Sequence, residues 1–148
     1  MMLFKTKSFD ELNTYELYSI LQIRNEVFIL EQNCFYQDLD NKDLQAIHLM
    51  GFQDDTLVAY CRLLPEGVSY DKLCSIGRVL TKSTVRGTDK GKQLMLKAIE
   101  VCRDKFSSDI RISAQSYLHK FYSDLGFAQV TEEYLEDGIP HFGMLYKW

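Results

Sequence analysis

From Val85 to Met95 the chain reads VRGTDKGKQLM, a run that holds Gly87 and Gly91, the bases Arg86, Lys90 and Lys92, and the acid Asp89. Glycines that let a backbone come close, followed at once by a helical pattern, suit the binding of an anion. Free amides and the positive end of a helix dipole attract a phosphate. The loop is not that of a nucleotide hydrolase. Such a loop needs four residues between its glycines and then Lys followed by Ser or Thr to hold magnesium. Here three residues separate Gly87 from Gly91, and Lys92 precedes Gln93.

Other residues invite the same question. Asp38, Asp40 and Asp43 resemble a calcium loop, but Asp43 stands in the place of the turn glycine and Leu49 in that of the bidentate acid. They are expected to form a solvated loop rim, which beside a cleft would draw in a cationic amine. Cys34, Cys61, Cys74 and Cys102 make no CxxC pair and no zinc-like spacing with His48, His119 or His141. No metal site is expected, and the thiols read as small apolar residues of a reducing compartment. A formal net charge of -4 weighs against nucleic acid as the main partner and leaves room for a cationic small substrate. The N-terminal MMLFKTKSFDELN carries a charge at Lys5 and no long apolar run. Neither a signal peptide nor a membrane span is therefore expected, and the expected location is the cytoplasm.

A scaffold has to carry these groups. With 148 residues, 46% apolar and 26% charged, the chain is expected to form one globular domain over residues 1–148. LFKTKSF alternates as a strand does, and Asn13 with Glu16 forms a capping-box pattern at a helix start. Leu17, Ile20, Leu21, Arg24, Val27 and Phe28 then share a helical face, on which Arg24 is the exception. Glu31 shares that face if the helix continues, which makes it the expected partner of Arg24. AIHLMGF, LVAYCRLL and KLCSIGRVLT read as three strands of an antiparallel meander. The opening loop and a long amphipathic helix come next, then a strand at DIRISA and a short helix at YLHKFYSDLGF that Gly126 stops as a left-handed cap. A closing hairpin from Ala128 to Trp148 turns at Asp137-Gly138. The order predicts an α/β fold, a mixed sheet covered by helices.

In that setting VRGTDKGKQLM resembles the pyrophosphate loop of the GCN5-related N-acetyltransferases, in which Arg or Gln is followed after two residues by Gly, any residue, and Gly or Ala. Arg86 and Gly91 match the ends, while Asp89 stands where the middle glycine is usual. A carboxylate there is expected to cap the helix itself and to repel a diphosphate. AQSYLHKFYSDLGF resembles the family's second cofactor motif, a Phe-Tyr pair on a short helix before Gly-Phe. Two motifs in order with a strand between them are far more specific than either alone. LQIRNEVFILEQNCFYQDLDNKD, the isolated His48 and EEYLEDGIPHFGM together resemble the ElaA branch of this superfamily.

The resemblance implies a largely antiparallel GNAT sheet with splayed central strands, flanked by helices, and acetyl transfer from acetyl-CoA to an amine on a small molecule or peptide, with CoA as product. It places the diphosphate on Arg86, Gly87, Thr88, Asp89, Lys90, Gly91 and Lys92. The pantetheine arm would lie along Ile76 to Leu80, with Gln115 and Phe121 nearby. Arg78 either reaches the cofactor or is a solvated strand residue. Tyr122 would protonate the departing thiolate, since a phenol with an ordinary pKa of about 10 suits a thiol leaving group. An amide near Val79 or Leu80 would hold the oxyanion. Glu31, His141 and His48 remain candidates for the general base, and Arg24 and Tyr36 join them as acceptor-side residues. A non-catalytic acyl-CoA-binding module and a purely structural α/β domain are the competing readings. A homodimer is left open.

Overall fold

The computed structural model describes residues 1–148. Strand β1 (Leu3–Ser8) leads into α1 (Thr14–Arg24), whose start is closed by the reciprocal bonds of Asn13 and Glu16. The helix does not stop at Arg24 but widens into a π-helical stretch, Asn25–Glu31. The wider turn rotates Glu31 away from the face that an α-helix would give it. The expected pairing of Arg24 with Glu31 is therefore not made.

The meander follows as β2 (Ile47–Gln53), β3 (Thr56–Leu64) and β4 (Cys74–Thr81). Then come α2 (Lys90–Lys105), β5 (Ile110–Gln115), α3 (His119–Asp124), β6 (Ala128–Gln129), β7 (Tyr134–Glu136) and β8 (Ile139–Tyr146). The sheet order is β1-β2-β3-β4-β5-β8-β6, with β7 also on β8. Successive strand residues face opposite sides, and the two helices use both sides. α2 buries Leu94, Met95, Ala98 and Ile99 in a core with Leu49, Cys61 and Leu63, while α1 sets Ile20 and Ile23 against Met50 and Tyr60. Each of the larger aliphatic side chains sealed in this way contributes roughly 1.5–3 kcal/mol, so the helices clamp the sheet from both faces.

The expected closing hairpin is more divided than the sequence suggests. β8 runs unbroken, but its partner is split into β7 and β6. In the gap, Thr131 Oγ1 accepts the Gly143 N–H at 2.8 Å, and the Arg111 side chain crosses so close that a Cβ at Gly143 would lie 2.3 Å from its guanidinium. The Asp137-Gly138 turn forms as expected, with φ of 52° and 77° at its two central residues.

Two irregularities shape the centre. β4 and β5 are the one parallel pair, joined only at Cys74–Ile110 and Ser75–Arg111 before they part. Opposite β3, the register of β4 shifts between Tyr60 and Arg62, and Arg78 in the shifted stretch has φ of +50°. A left-handed non-glycine residue inside a strand is costly and marks a bulge held by its surroundings.

Candidate active site

The parting of β4 from β5 opens a cavity of about 670 Å³, within the size range of small-ligand sites. One wall is β4 from Ile76 to Thr81, whose backbone pairs with β3 on one edge and has no strand on the other. The opposite wall is Ile112, Ser113 and Gln115 of β5 with Tyr117, Leu118, Phe121 and Tyr122 beyond it. Ile76, Arg78, Val79, Leu80, Gln115, Phe121 and Tyr122 thus all line one cavity. Val27 and Phe28 of the π-helical stretch, which periodicity reads as plain α-helix, and Gln32 just beyond its end also line it.

At one end lies the start of α2, with Arg86, Gly87, Asp89, Lys90, Gly91 and Lys92 on the cavity wall. The first amides of a helix lack partners within it, so this end offers donors and a positive dipole to an anion. Thr88 is not on the wall; its hydroxyl donates to the Val85 carbonyl. Asp89 does not cap the helix with its side chain, contrary to expectation. It adopts a left-handed conformation, φ 62°, of the kind a glycine supplies most cheaply and Asp tolerates. Arg86 is held on two sides, by the Thr81 carbonyl at 2.8 Å and by Glu31 Oε1 at 2.7 Å. Glu31 is thereby tied to the loop rather than to Arg24.

Tyr122 lies beneath the split, 6% exposed, with its ring edge-on to Phe121 and Phe127. Its hydroxyl makes no hydrogen bond within the chain and is not sealed from solvent. Burial raises its pKa well above that of an ordinary phenol, and the charges of Cys61 and Tyr117 add to the effect. The equal match between phenol and thiol expected from ordinary values therefore does not hold. Burial instead keeps the phenol in its proton-carrying form, and the same burial would raise the pKa of a thiol beside it.

Across the cavity stands His141 on β8, 6% exposed. Its Nδ1–H donates to the Ile139 carbonyl at 2.7 Å, and its ring stacks on Tyr134. That bond assigns the proton of a neutral ring to Nδ1 and leaves Nε2 with a lone pair. Glu136 and Asp137 of the β7–β8 turn share this end, and Cys34 donates its thiol hydrogen to the Asp137 carbonyl at 3.4 Å. Sequence reasoning passed over Cys34, Ser113, Glu136 and Asp137. The signal available was the alternation of β7, which puts Tyr134 and Glu136 on one face just before a turn already recognised.

Two expected acceptor-side residues do not reach the cavity. Arg24 is fully buried, donating to Asp38 at 2.9 Å and to Asp43 at 2.7 Å. His48 is also fully buried, bonded to the Tyr60 hydroxyl at 2.7 Å and to the Asp43 carbonyl at 3.0 Å. Nor do the three aspartates form a solvated rim: Arg62 binds Asp40 and Asp43, and Arg78 donates to Asp38 Oδ1 at 2.7 Å. Arginines left on apolar faces required anions, and this loop supplies them. Arg78 is held by that loop, and its guanidinium lies over Tyr36. Tyr36 lines the cavity with its phenol pushed up to about 12, chiefly by burial.

A sheet split after its fourth strand, with a helix N-terminus at one end of the split and an unpartnered phenol beneath it, is the arrangement of an acyl-CoA-dependent acyltransferase. The chain belongs to the GNAT acetyltransferases: the family described as "Acetyltransferase (GNAT) domain" matches residues 12–147. Its branch is that of ElaA. It is 44% identical to protein ElaA of Escherichia coli strain K12 over 137 residues, which cover 90% of this chain and 89% of that one. The crystal structure of E. coli ElaA matches at a TM-score of 0.93 with 40% identity, covering 99% of this chain and 100% of that one. An acyl-CoA N-acyltransferase from Pseudomonas aeruginosa matches at 0.91 with 41% identity and the same coverage. No helix is long and apolar enough to cross a membrane.

Proposed function

We propose that residues 1–148 form a single N-acetyltransferase domain that moves the acetyl group of acetyl-CoA to an amine on a small molecule or peptide. The observation that carries this reading is the Tyr122 hydroxyl, unpartnered in a deep cavity that has an anion-binding helix start at its other end. A module that only binds acyl-CoA has no use for an acid there. Four unpaired cysteines fit a reducing, cytoplasmic setting.

In this reading the diphosphate lies on the amides from Gly87 to Lys92, and the pantetheine arm pairs with the free edge of β4 as an added strand would. The Leu80 amide is taken up by pairing with Tyr60 of β3, whereas Val79, next to the bulge at Arg78, has no partner there, and in this reading its amide holds the oxyanion of the thioester carbonyl. The amine lone pair attacks the carbonyl carbon, a C–N bond forms and the C–S bond breaks. Tyr122 gives its proton to the departing sulfur. The surplus proton of the amide nitrogen passes to His141 Nε2, since Glu31, which also lines the cavity, is held in an ion pair with Arg86. Glu31, neutralised by Arg86, fixes the cofactor loop.

The test is release of CoA thiol from acetyl-CoA in the presence of a panel of primary amines. Tyr122→Phe keeps the ring and removes the proton, so kcat should fall roughly 100- to 10,000-fold with CoA affinity nearly unchanged. CoA binding without turnover on any amine would instead make the chain a binding module.

A further inference from the structure

His141 Nε2 and Glu136 Oε2 face each other at 3.5 Å. Since Nδ1 spends its proton on Ile139, both atoms are acceptors in the neutral ring, and two acceptors at that distance repel unless a donor serves both. No side chain does so. Tyr134 and the Ser113 hydroxyl bond each other, and Ser113 donates to Glu136 Oε1 at 3.3 Å, which leaves Oε2 unserved. His141 is the only ion-pairing partner of Glu136 within 4 Å, and Asp137 has none. The carboxylates alone would define no site. The imidazole, 94% buried and open at Nε2 towards the cavity, completes one.

We infer that Glu136 Oε2 and His141 Nε2 together receive the acceptor as a primary ammonium, and that Glu136 is the residue selecting a cationic acceptor. This rests on the acyltransferase reading above. The ammonium donates one N–H to Glu136 and another to His141. His141 then takes that second proton and releases it to solvent, and the neutral amine left in place carries its lone pair to the thioester. A primary alkylammonium fits, because two of its three hydrogens serve the two acceptors and its chain is left to point away from them. A quaternary cation has no hydrogen to give.

Glu136→Gln keeps the shape and the bond from Ser113 but removes the charge. With butylamine and acetyl-CoA, its KM for the amine should rise roughly 10- to 100-fold, the worth of one charge-assisted hydrogen bond. CoA affinity should stay the same, and the rise in KM should be much smaller for hydroxylamine, which arrives uncharged at neutral pH. Equal changes for both acceptors, or none for either, would overturn the assignment. A second measurement needs no turnover: the side-chain 15N resonance of His141 Nε2 in the CoA-bound protein should move on adding butylammonium. A resonance that ignores butylammonium ends the proposal whatever the activity. A shift without acetyl transfer would keep the ammonium site and remove the acetyltransferase reading.

Discussion

Beside α1, the guanidinium groups of Arg24, Arg62 and Arg78 meet the carboxylates of Asp38, Asp40 and Asp43 in one interlocked group, with separations between 2.6 and 3.5 Å. Arg62 Nε is its only sealed atom without a partner. Across the cavity, Glu136 and Asp137 hold two charges with no lysine or arginine to answer them. Both regions are built from acids at or beside a loop. The first is buried and consumes its charge in holding the chain; the second is open and keeps its charge for something that arrives. Burial next to a fixed counter-ion separates a structural carboxylate from an available one.

Substitution separates the two regions most sharply. Asp43→Ala leaves two buried arginines short of an anion, and such losses cost roughly 3–5 kcal/mol. Since Arg24 keeps Asp38 and Arg62 keeps Asp40, the low end of about 3 kcal/mol is expected here, read as a lower urea midpoint. A midpoint within error of the parent would mean that the interlocked group contributes no more than the open one.

Acid should act on the interlocked group in two stages. Burial depresses the pKa of His48, so its contribution is complete above the unfolded value of about 6.5 and is lost as pH falls below it. Asp40 and Asp43 feel burial in the opposite sense, but hydrogen bonds and charges from Arg62 and Arg24 outweigh it and depress their pKa values too. Their share is full above the unfolded value of about 3.9 and goes as pH falls through the folded values. Urea midpoints taken at descending pH should show both losses, and His48→Gln should abolish the first while leaving the second. A first loss that survives in His48→Gln would assign it to another group.

The smallest effect is expected on the open side. Asp137→Asn keeps the turn chemistry and removes a charge that nothing pairs, so stability should stay within about 0.5 kcal/mol of the parent. A larger loss of stability would show that this carboxylate has a partner after all, and the contrast would fail.

Much of the site was legible because its signals are local. The glycines and bases of VRGTDKGKQLM, the Phe121-Tyr122 pair and the Asp137-Gly138 turn each sit within a few residues, where spacing alone carries the geometry. The strand order could be read from alternation and turn residues. What could not be read depends on distance along the chain or on departures from ideal helices. The anions that Arg24 needs lie 14 and 19 residues away, and the π-helical widening removed the nearer candidate, Glu31. Asp89 looked like a cap because its type suits one, yet its left-handed backbone turns the carboxylate away from the helix amides. Glu136 gains its neighbour His141 only through the pairing of β7 with β8.

The two-rung seam between β4 and β5 also bears on how the molecule holds together. Beyond Ser75 no backbone ladder crosses from the β1–β4 half of the sheet to the β5–β8 half, and the remaining cohesion comes from α2 and the side chains packed beneath it. Docking of these halves is then a natural late step in assembly, and their parting a natural first step in unfolding. A molecule lying in the gap, bonded to the edge of β4 and packed on β5, would act as the absent rungs of that ladder. Occupancy would be felt as rigidity of the whole sheet, and amides on both halves would exchange with solvent more slowly together.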